Sequence, residues 1–314
     1  MTTLSVTTAD RAPGGSSTLL GTAFGMGAGA LWGLVFLAPE LLREFSPLQL
    51  TIGRYLAYAL IAAALIAPRW RSLVARLTRQ EWLALAGLAF TGNTLYYVLL
   101  SNAVQLGGIA MTSLVIGFLP VAVTIIGSRD QNAVPLRKLS LSLALCAGGA
   151  VCIGWQAVAQ AGAGSVGTQL IGFLCAIGAL VSWTAFAVSN QRWLVRLQHV
   201  SAHEWSLLTG IVTGAQALLL VPLALALGSG EHGASEWGRF VAVSLGIAVL
   251  ASIVGNAFWN RMSRLLPLTL VGQMILFETL FSLIYGLFWE RRFPTSLESA
   301  AFVLVVLSVL SCLA

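Results

Sequence analysis

Ten stretches of the chain, at roughly 18–38, 48–67, 82–101, 108–128, 138–157, 168–190, 204–227, 239–260, 267–289 and 296–314, are mostly apolar over the length that crosses a bilayer. A crossing helix needs about 20 such residues, because the hydrocarbon core is about 30 Å thick and each residue rises about 1.5 Å. Lipid offers no partner to backbone N–H and C=O groups, so such a run folds as a helix that closes its own hydrogen bonds. The expected fold is therefore an all-α integral membrane protein with ten transmembrane helices. Composition agrees: 58% of residues are hydrophobic and 9% charged, against about 45–50% and 25% in soluble domains.

The net charge of +6 comes from basic residues in short clusters between apolar runs. They form no long basic face, which argues against nucleic acid as a partner and for a role in topology. With an even number of spans both termini share one side. A cytoplasmic N-terminus puts twelve cations inside (Arg11, Arg69, Arg71, Arg76, Arg79, Arg129, Arg137, Lys138, Arg192, Arg196, Arg261, Arg264) and four outside (Arg43, Arg239, Arg291, Arg292). Cytoplasmic N- and C-termini are expected from that excess. Residues 1–17 are polar and lack a signal-peptide core, so they are expected to be a disordered cytoplasmic lead-in. The four cysteines, Cys146, Cys152, Cys175 and Cys312, lie within apolar runs without metal-ligand spacing and are expected to be buried thiols.

An uncharged Gly/Ala-rich connection after the fifth span, with its core at 158–167, separates a five-helix unit at 18–157 from another at 168–314. Five spans on each side put the halves in opposite orientations, the arrangement of an inverted-topology repeat. GALWGLVF (Gly29 to Phe36) resembles GALVSWTAF (Gly178 to Phe186), and GFLPVAVTIIG (Gly117 to Gly127) occupies the place of LFETLFSLIYG (Leu276 to Gly286).

Five features stand out within the spans. Glu278 places a carboxylate in a long apolar run, at a cost of at least ~3 kcal/mol unless it faces protein or a watered cavity. Ser252, Asn256, Trp259, Asn260 and Ser263 recur at three- and four-residue spacing, so the preceding span has a polar face. Gly21, Gly25, Gly29 and Gly33, spaced by four, form a ribbon for close helix packing. Pro120, in mid-span, is expected to kink its helix and is a hinge candidate. Arg54, two turns into the second span, reads as a structural cation that snorkels to the surface.

The chain resembles the drug/metabolite transporter superfamily in its ten-helix form with two EamA-type repeats. The resemblance is carried by LWG at Leu31 to Gly33, IGRYLAYAL at Ile52 to Leu60, and YYVLLSNAVQLGGIAMTSLVIGFLPV at Tyr96 to Val121. WNRMSRLLPLTLVGQMILFETLFSLIYGLFWE at Trp259 to Glu290 carries it in the second half. Two positions depart from that pattern: Thr279 follows Glu278 where proline is usual, and Ser128, Arg129 and Asp130 stand where Gly-Glu would end span four. Within the superfamily the chain is most similar to the YddG-type aromatic amino acid exporters. The resemblance implies helices one, three, four, six, eight and nine around a central cavity, with the second and seventh near it and the fifth and tenth peripheral.

The residues are compatible with that basket. Asn93, Tyr96, Tyr97 and Ser101 share a face of span three; Ser182, Trp183, Phe186 and Ser189 share a side of span six; Trp32 and Phe36 lie one turn apart in span one. The expected cavity residues are Trp32, Asn93, Tyr96, Tyr97, Trp183, Phe186, Asn256, Trp259, Asn260 and Glu278, with Glu278 also a possible proton-coupling group. Aromatic walls with sparse amides suit an amphipathic solute with one flat apolar group. The expected function is secondary export of small metabolites, amino acids including aromatic ones foremost, across the inner membrane by alternating access; an uncoupled facilitator is the alternative. No GxxxxGK[ST] motif is present, so no ATP engine is expected. His199, His203 and His232 fall near or beyond span ends with no nucleophile or carboxylate cluster, so no enzymatic activity, cofactor or metal is expected. Oligomeric state is not readable from the sequence.

Overall fold

The computed structural model describes residues 15–127, 136–159, 166–197, 199–227, 231–266 and 268–313. Most of the expected lead-in, the centre of the 158–167 linker and the Ser128–Asp130 segment lie outside these residues. Among the described residues the regular structure is entirely helical. The helices are α1 (Gly15–Leu41), α2 (Pro47–Ile66), α3 (Trp70–Val74), α4 (Arg79–Ala89), α5 (Leu95–Ile116), α6 (Leu119–Gly127) and α7 (Leu136–Ala159). Beyond the linker follow α8 (Val166–Arg196), α9 (Ala202–Ala226), α10 (Ala234–Ile247), α11 (Asn256–Leu265), α12 (Leu268–Met274), α13 (Leu276–Glu290) and α14 (Ser296–Leu313).

Several helices start where local chemistry satisfies their free N–H groups. Ser46, Thr78 and Ser201 cap α2, α4 and α9, and Gln49, Glu81 and Glu204 three residues on accept from the cap's own N–H. Reciprocal pairs of this kind satisfy two orphan donors at once. Among the described residues, seven helical stretches are long and apolar enough to cross a membrane: Thr18–Leu41, Pro47–Val74, Arg79–Ile109, Gly167–Leu194, Ala202–Ala226, Ala234–Ser263 and Leu270–Glu290. Of the other three expected spans, one is divided between α5 and α6, and two fall on α7 and α14, whose described apolar stretches are Leu139–Gly149 and Ser296–Ser308. Outward leucines such as Leu60 and Leu219 are 72% and 78% exposed, an apolar exterior suited to lipid.

Five interruptions shape the interior. Single π turns, Phe90–Thr94 and Ala248–Gly255, join α4 to α5 and α10 to α11. Gly108, at φ 83 and ψ 165, kinks the chain inside α5, a conformation open to glycine but costly for residues with a Cβ. A turn at 117–118 separates α5 from α6, and another at Ile275 separates α12 from α13. The expected kink at Pro120 is therefore a helix start: the break lies just upstream, and Pro120 occupies the first turn of α6, where its missing N–H costs nothing.

The glycine ribbon of α1 packs on α11 to α13. A Cβ on Gly21 would meet Leu266 at 2.7 Å, on Gly25 the Met262 sulfur at 2.8 Å, and on Gly33 the Ser282 backbone nitrogen at 3.0 Å. The two ends of the bundle are tied differently. At one end His199 lies 3.3 Å from Glu81, and Arg69 lies 3.7 Å from Glu204. At the other, Arg239 pairs with Glu44, Gln105 donates to the Phe45 carbonyl at 3.0 Å, and Phe45, His232, Trp237 and Phe240 form one aromatic cluster.

At that second end Arg292 grips Glu298 through two 2.6 Å hydrogen bonds, and Glu298 also accepts from the Thr295 N–H at the start of α14. The Glu298 carboxylate holds the Arg292 guanidinium above its ordinary value. Glu298→Gln is expected to cost about 1.5–3 kcal/mol of stability, the range for hydrogen bonds to charged groups. Thermal unfolding of the detergent-solubilised protein would read this as a lower Tm; an unchanged Tm would show that the clamp contributes nothing.

Candidate substrate cavity

Between the two ends lies a cavity of about 80 Å³, several times the ~10–15 Å³ that one water requires. Its walls come from α1, α2, α5, α8, α9, α11 and α13 together with the π turns. One extremity is bounded by Leu194 and Ala202, next to the tied connections around Glu81 and Glu204. Its depth reaches Arg54, Ser252 and Glu278. Beyond Arg54 the bundle closes: a Cβ on Gly53 would lie 2.4 Å from the Phe240 ring, which belongs to the aromatic cluster at the far end.

Three indoles from three helices meet in the wall. Trp32 of α1 lies 4.8 Å from Trp259 of α11 and 6.1 Å from Trp183 of α8, and Trp183 and Trp259 are also 6.1 Å apart, centroid to centroid. Phe186 extends this surface at 5.8 Å from Trp183. Edge-on and tilted contacts of this kind satisfy the ring quadrupoles while leaving faces free.

The π turns position two of the wall residues. A π turn frees carbonyls that the α-helix would occupy, and in an apolar setting each needs a donor. Trp32 Nε1 donates to the Ala251 carbonyl at 3.0 Å, and Ser182 Oγ to the Thr91 carbonyl at 2.7 Å. Small residues admit the approach: a Cβ on Gly255 would lie 2.8 Å from Trp32, and on Gly92 2.3 Å from Phe186. Each π turn is followed immediately by, or contains, an amide that faces the cavity, Asn256 and Asn93.

The polar groups differ in how fully they are used. Asn93 Nδ2 donates to Thr213 Oγ1 at 3.0 Å, and the Asn93 backbone carbonyl accepts from the Tyr55 hydroxyl at 3.1 Å. The Asn260 amide reaches the Ala202 carbonyl at 3.4 Å, and Tyr58 donates to the Ser206 carbonyl at 2.7 Å. Glu278 is 5% exposed and stands in the first turn of α13, its N–H bonded to the Ile275 carbonyl at the break. A helix N-terminus favours a carboxylate there.

Of the residues singled out in the sequence, Trp32, Asn93, Tyr96, Trp183, Phe186, Asn256, Trp259, Asn260 and Glu278 all border this cavity. Tyr97 does not: its buried ring lies under the Arg54 guanidinium, 4.4 Å from its carbon. Ser263, on the same expected polar face as Asn256, is not in the lining either. Arg54 corrects the sequence reading. It is 8% exposed and lines the cavity, so it does not snorkel. Also unanticipated are Tyr55 and Tyr58 on α2 and Trp205, Ser206 and Thr209 on α9. The signal for the first group was present: Thr51, Arg54, Tyr55 and Tyr58 follow the same i, i+3, i+4, i+7 spacing that revealed the polar face of the eighth span.

Comparison with known proteins places the chain among membrane transporters. The profile of the EamA-like transporter family matches residues 19–155. The inner membrane protein YtfF of Escherichia coli strain K12 is 30% identical, over 92% of this chain and 93% of its own. A solved crystal structure with 20% identity superposes with a TM-score of 0.67, covering 95% of this chain and 97% of that one, a likeness of fold.

Proposed function

The chain belongs to the EamA-like transporter family, and from that premise we propose that it is a secondary exporter of small metabolites, foremost amino acids including aromatic ones. It works by alternating access across the inner membrane, the location carried by the name of its YtfF relative. The observation that carries the substrate class is the cavity itself: three contacting indoles form an apolar face, and Glu278 and the amides offer polar contacts beside it. An aromatic side chain stacks on the former, and an ammonium group meets the latter. Glu278 takes either that ammonium or a proton, which makes it the coupling candidate.

Alternating access needs two halves that rock against each other. Support for ten spans in two inverted five-helix repeats, 18–157 and 168–314, comes from matched irregularities. Gly92-Asn93 and Gly255-Asn256 each mark a π turn, and each turn receives a side-chain donor from the first helix of the opposite half. The break at 117–118 corresponds, in the GFLPVAVTIIG and LFETLFSLIYG match, to the break at Ile275. Irregularities that line a cavity in both halves are the expected mark of a repeat-built transporter. Pro120, opening the helix after the first of these breaks, keeps its role as hinge candidate.

Counterflow in proteoliposomes tests the reading. Unlabelled Phe, Trp, Thr, Met or a sugar phosphate is loaded inside, and entry of labelled Phe is followed. Acceleration by the amino acids and not by the phosphate is expected. Absence of acceleration by every amino acid, from folded and inserted protein, would remove the amino acid assignment. Counterflow indifferent to an imposed proton gradient would favour the uncoupled facilitator.

A further inference from the structure

We propose that Arg54 is the residue that binds the carboxylate of the transported solute. The inference deepens, and rests on, the transport reading above. Arg54 is more than nine-tenths buried and borders the cavity, yet most of its hydrogen-bonding capacity is unused. Nη2 reaches Ser252 Oγ at a long 3.4 Å and the Tyr97 hydroxyl also interacts with the guanidinium, while Nε and Nη1 are buried without a hydrogen bond. A guanidinium carries five N–H donors and no acceptor, and leaving them unpaired away from water is costly.

The surroundings hold the group without neutralising it. The rings of Tyr55 and Tyr97 approach the guanidinium carbon at 5.1 and 4.4 Å, a cation–π contact that favours the charge without using an N–H donor. Glu278 lines the same cavity but makes no direct ion pair with Arg54 among the described residues. Pairing the two would be the ordinary way to discharge both in an apolar interior. Held apart, they leave one positive and one negative group facing the same space. A carboxylate accepts from the Arg54 fork in the charge-assisted, planar geometry that arginine suits best. A phosphate ester shares that geometry but brings a second negative charge toward Glu278, so the site favours a carboxylate beside an ammonium.

Binding to the detergent-purified full chain can be followed by fluorescence of the cavity tryptophans, using Phe, phenethylamine (no carboxylate), 3-phenylpropionate (no ammonium) and glucose 6-phosphate. The wild type is expected to bind Phe at least ~30-fold more tightly than phenethylamine, the scale for losing one partner of a buried charged contact. Arg54→Gln is expected to erase that preference, and Arg54→Lys, which keeps charge without the fork, to restore part of it. A folded Arg54→Gln protein that still prefers Phe to phenethylamine overturns the proposal. So does a wild type that binds the two equally or takes the phosphate ester best, a comparison that needs no variant. Phe counterflow with an Arg54-independent preference would leave amino acid transport standing and remove Arg54. Arg54-dependent binding of 3-phenylpropionate without any amino acid counterflow would do the reverse.

Discussion

Gly29→Leu is expected to yield no folded, monodisperse protein after extraction. A Cβ on Gly29 would lie 2.5 Å from Phe277 Cβ, 2.8 Å from the Phe277 carbonyl carbon and 2.8 Å from the Glu278 backbone nitrogen. Two of these are main-chain atoms, which have no rotamer in which to retreat. Relief requires α1 and α13 to separate, and with them the Glu278 side of the cavity. Gly29→Ala carries the same Cβ, so the helices must part slightly for it too; lacking the further atoms of leucine, it is expected to fold at a cost of about 3 kcal/mol, the upper part of the range for overpacking. Gly87→Ala and Gly238→Ala are suitable controls, because nothing lies within 4 Å of a Cβ at either position. Both are helical and are expected to gain up to about 1 kcal/mol from better helix propensity. Size-exclusion profiles and Tm values of the four proteins would check the series. A Gly29→Leu protein as stable as the wild type would mean that the α1–α13 contact does not hold the fold.

Glu278→Gln is expected to remove the response of transport to a proton gradient while the protein still folds. Glutamine keeps the shape and hydrogen-bonding capacity of a protonated glutamate but has no proton to exchange. Gradient-driven accumulation should fall at least about tenfold, equivalent to ~1.4 kcal/mol, with Phe counterflow still measurable. The carboxylate is buried at the first turn of a helix, faces the cavity and shares it with Arg54. Those surroundings let its charge state respond to what occupies the cavity. If the variant keeps the wild-type pH dependence of flux, Glu278 is a structural carboxylate that anchors the start of α13.

Features that depend on local chemistry were legible in the chain. Ser46 with Gln49, Thr78 with Glu81 and Ser201 with Glu204 begin helices with neighbours only three residues away, a local signal that the sequence reading did not use. The ribbon from Gly21 to Gly33 announced a close helix contact, since spacing by four places small residues on one stripe. Ser252, Asn256, Trp259 and Asn260 announced a cavity wall for the same reason. Tyr97 shows where such reasoning stops. It lies one turn from Asn93 and Ser101, but it packs under Arg54 and stays out of the lining. Helix periodicity gives the angle of a side chain about its own axis, and a π turn at Phe90–Thr94 alters that angle relative to the preceding helix.

Amino-acid sequence by itself determined that this chain is helical and apolar on the scale of a bilayer, because lipid leaves the backbone no other way to close its hydrogen bonds. It also determined which residues are too costly to stand alone in such a setting, Glu278 above all. Tertiary structure alone decided what those residues face. Arg54 sits at a depth from which a long side chain on an isolated helix could reach the surface. Packing of Phe240 against Gly53 and of the Tyr55 and Tyr97 rings against the guanidinium turns it inward. The opposition of Arg54 and Glu278, 224 positions apart in the chain, depends on contacts between helices, and periodicity within one helix carries no record of them.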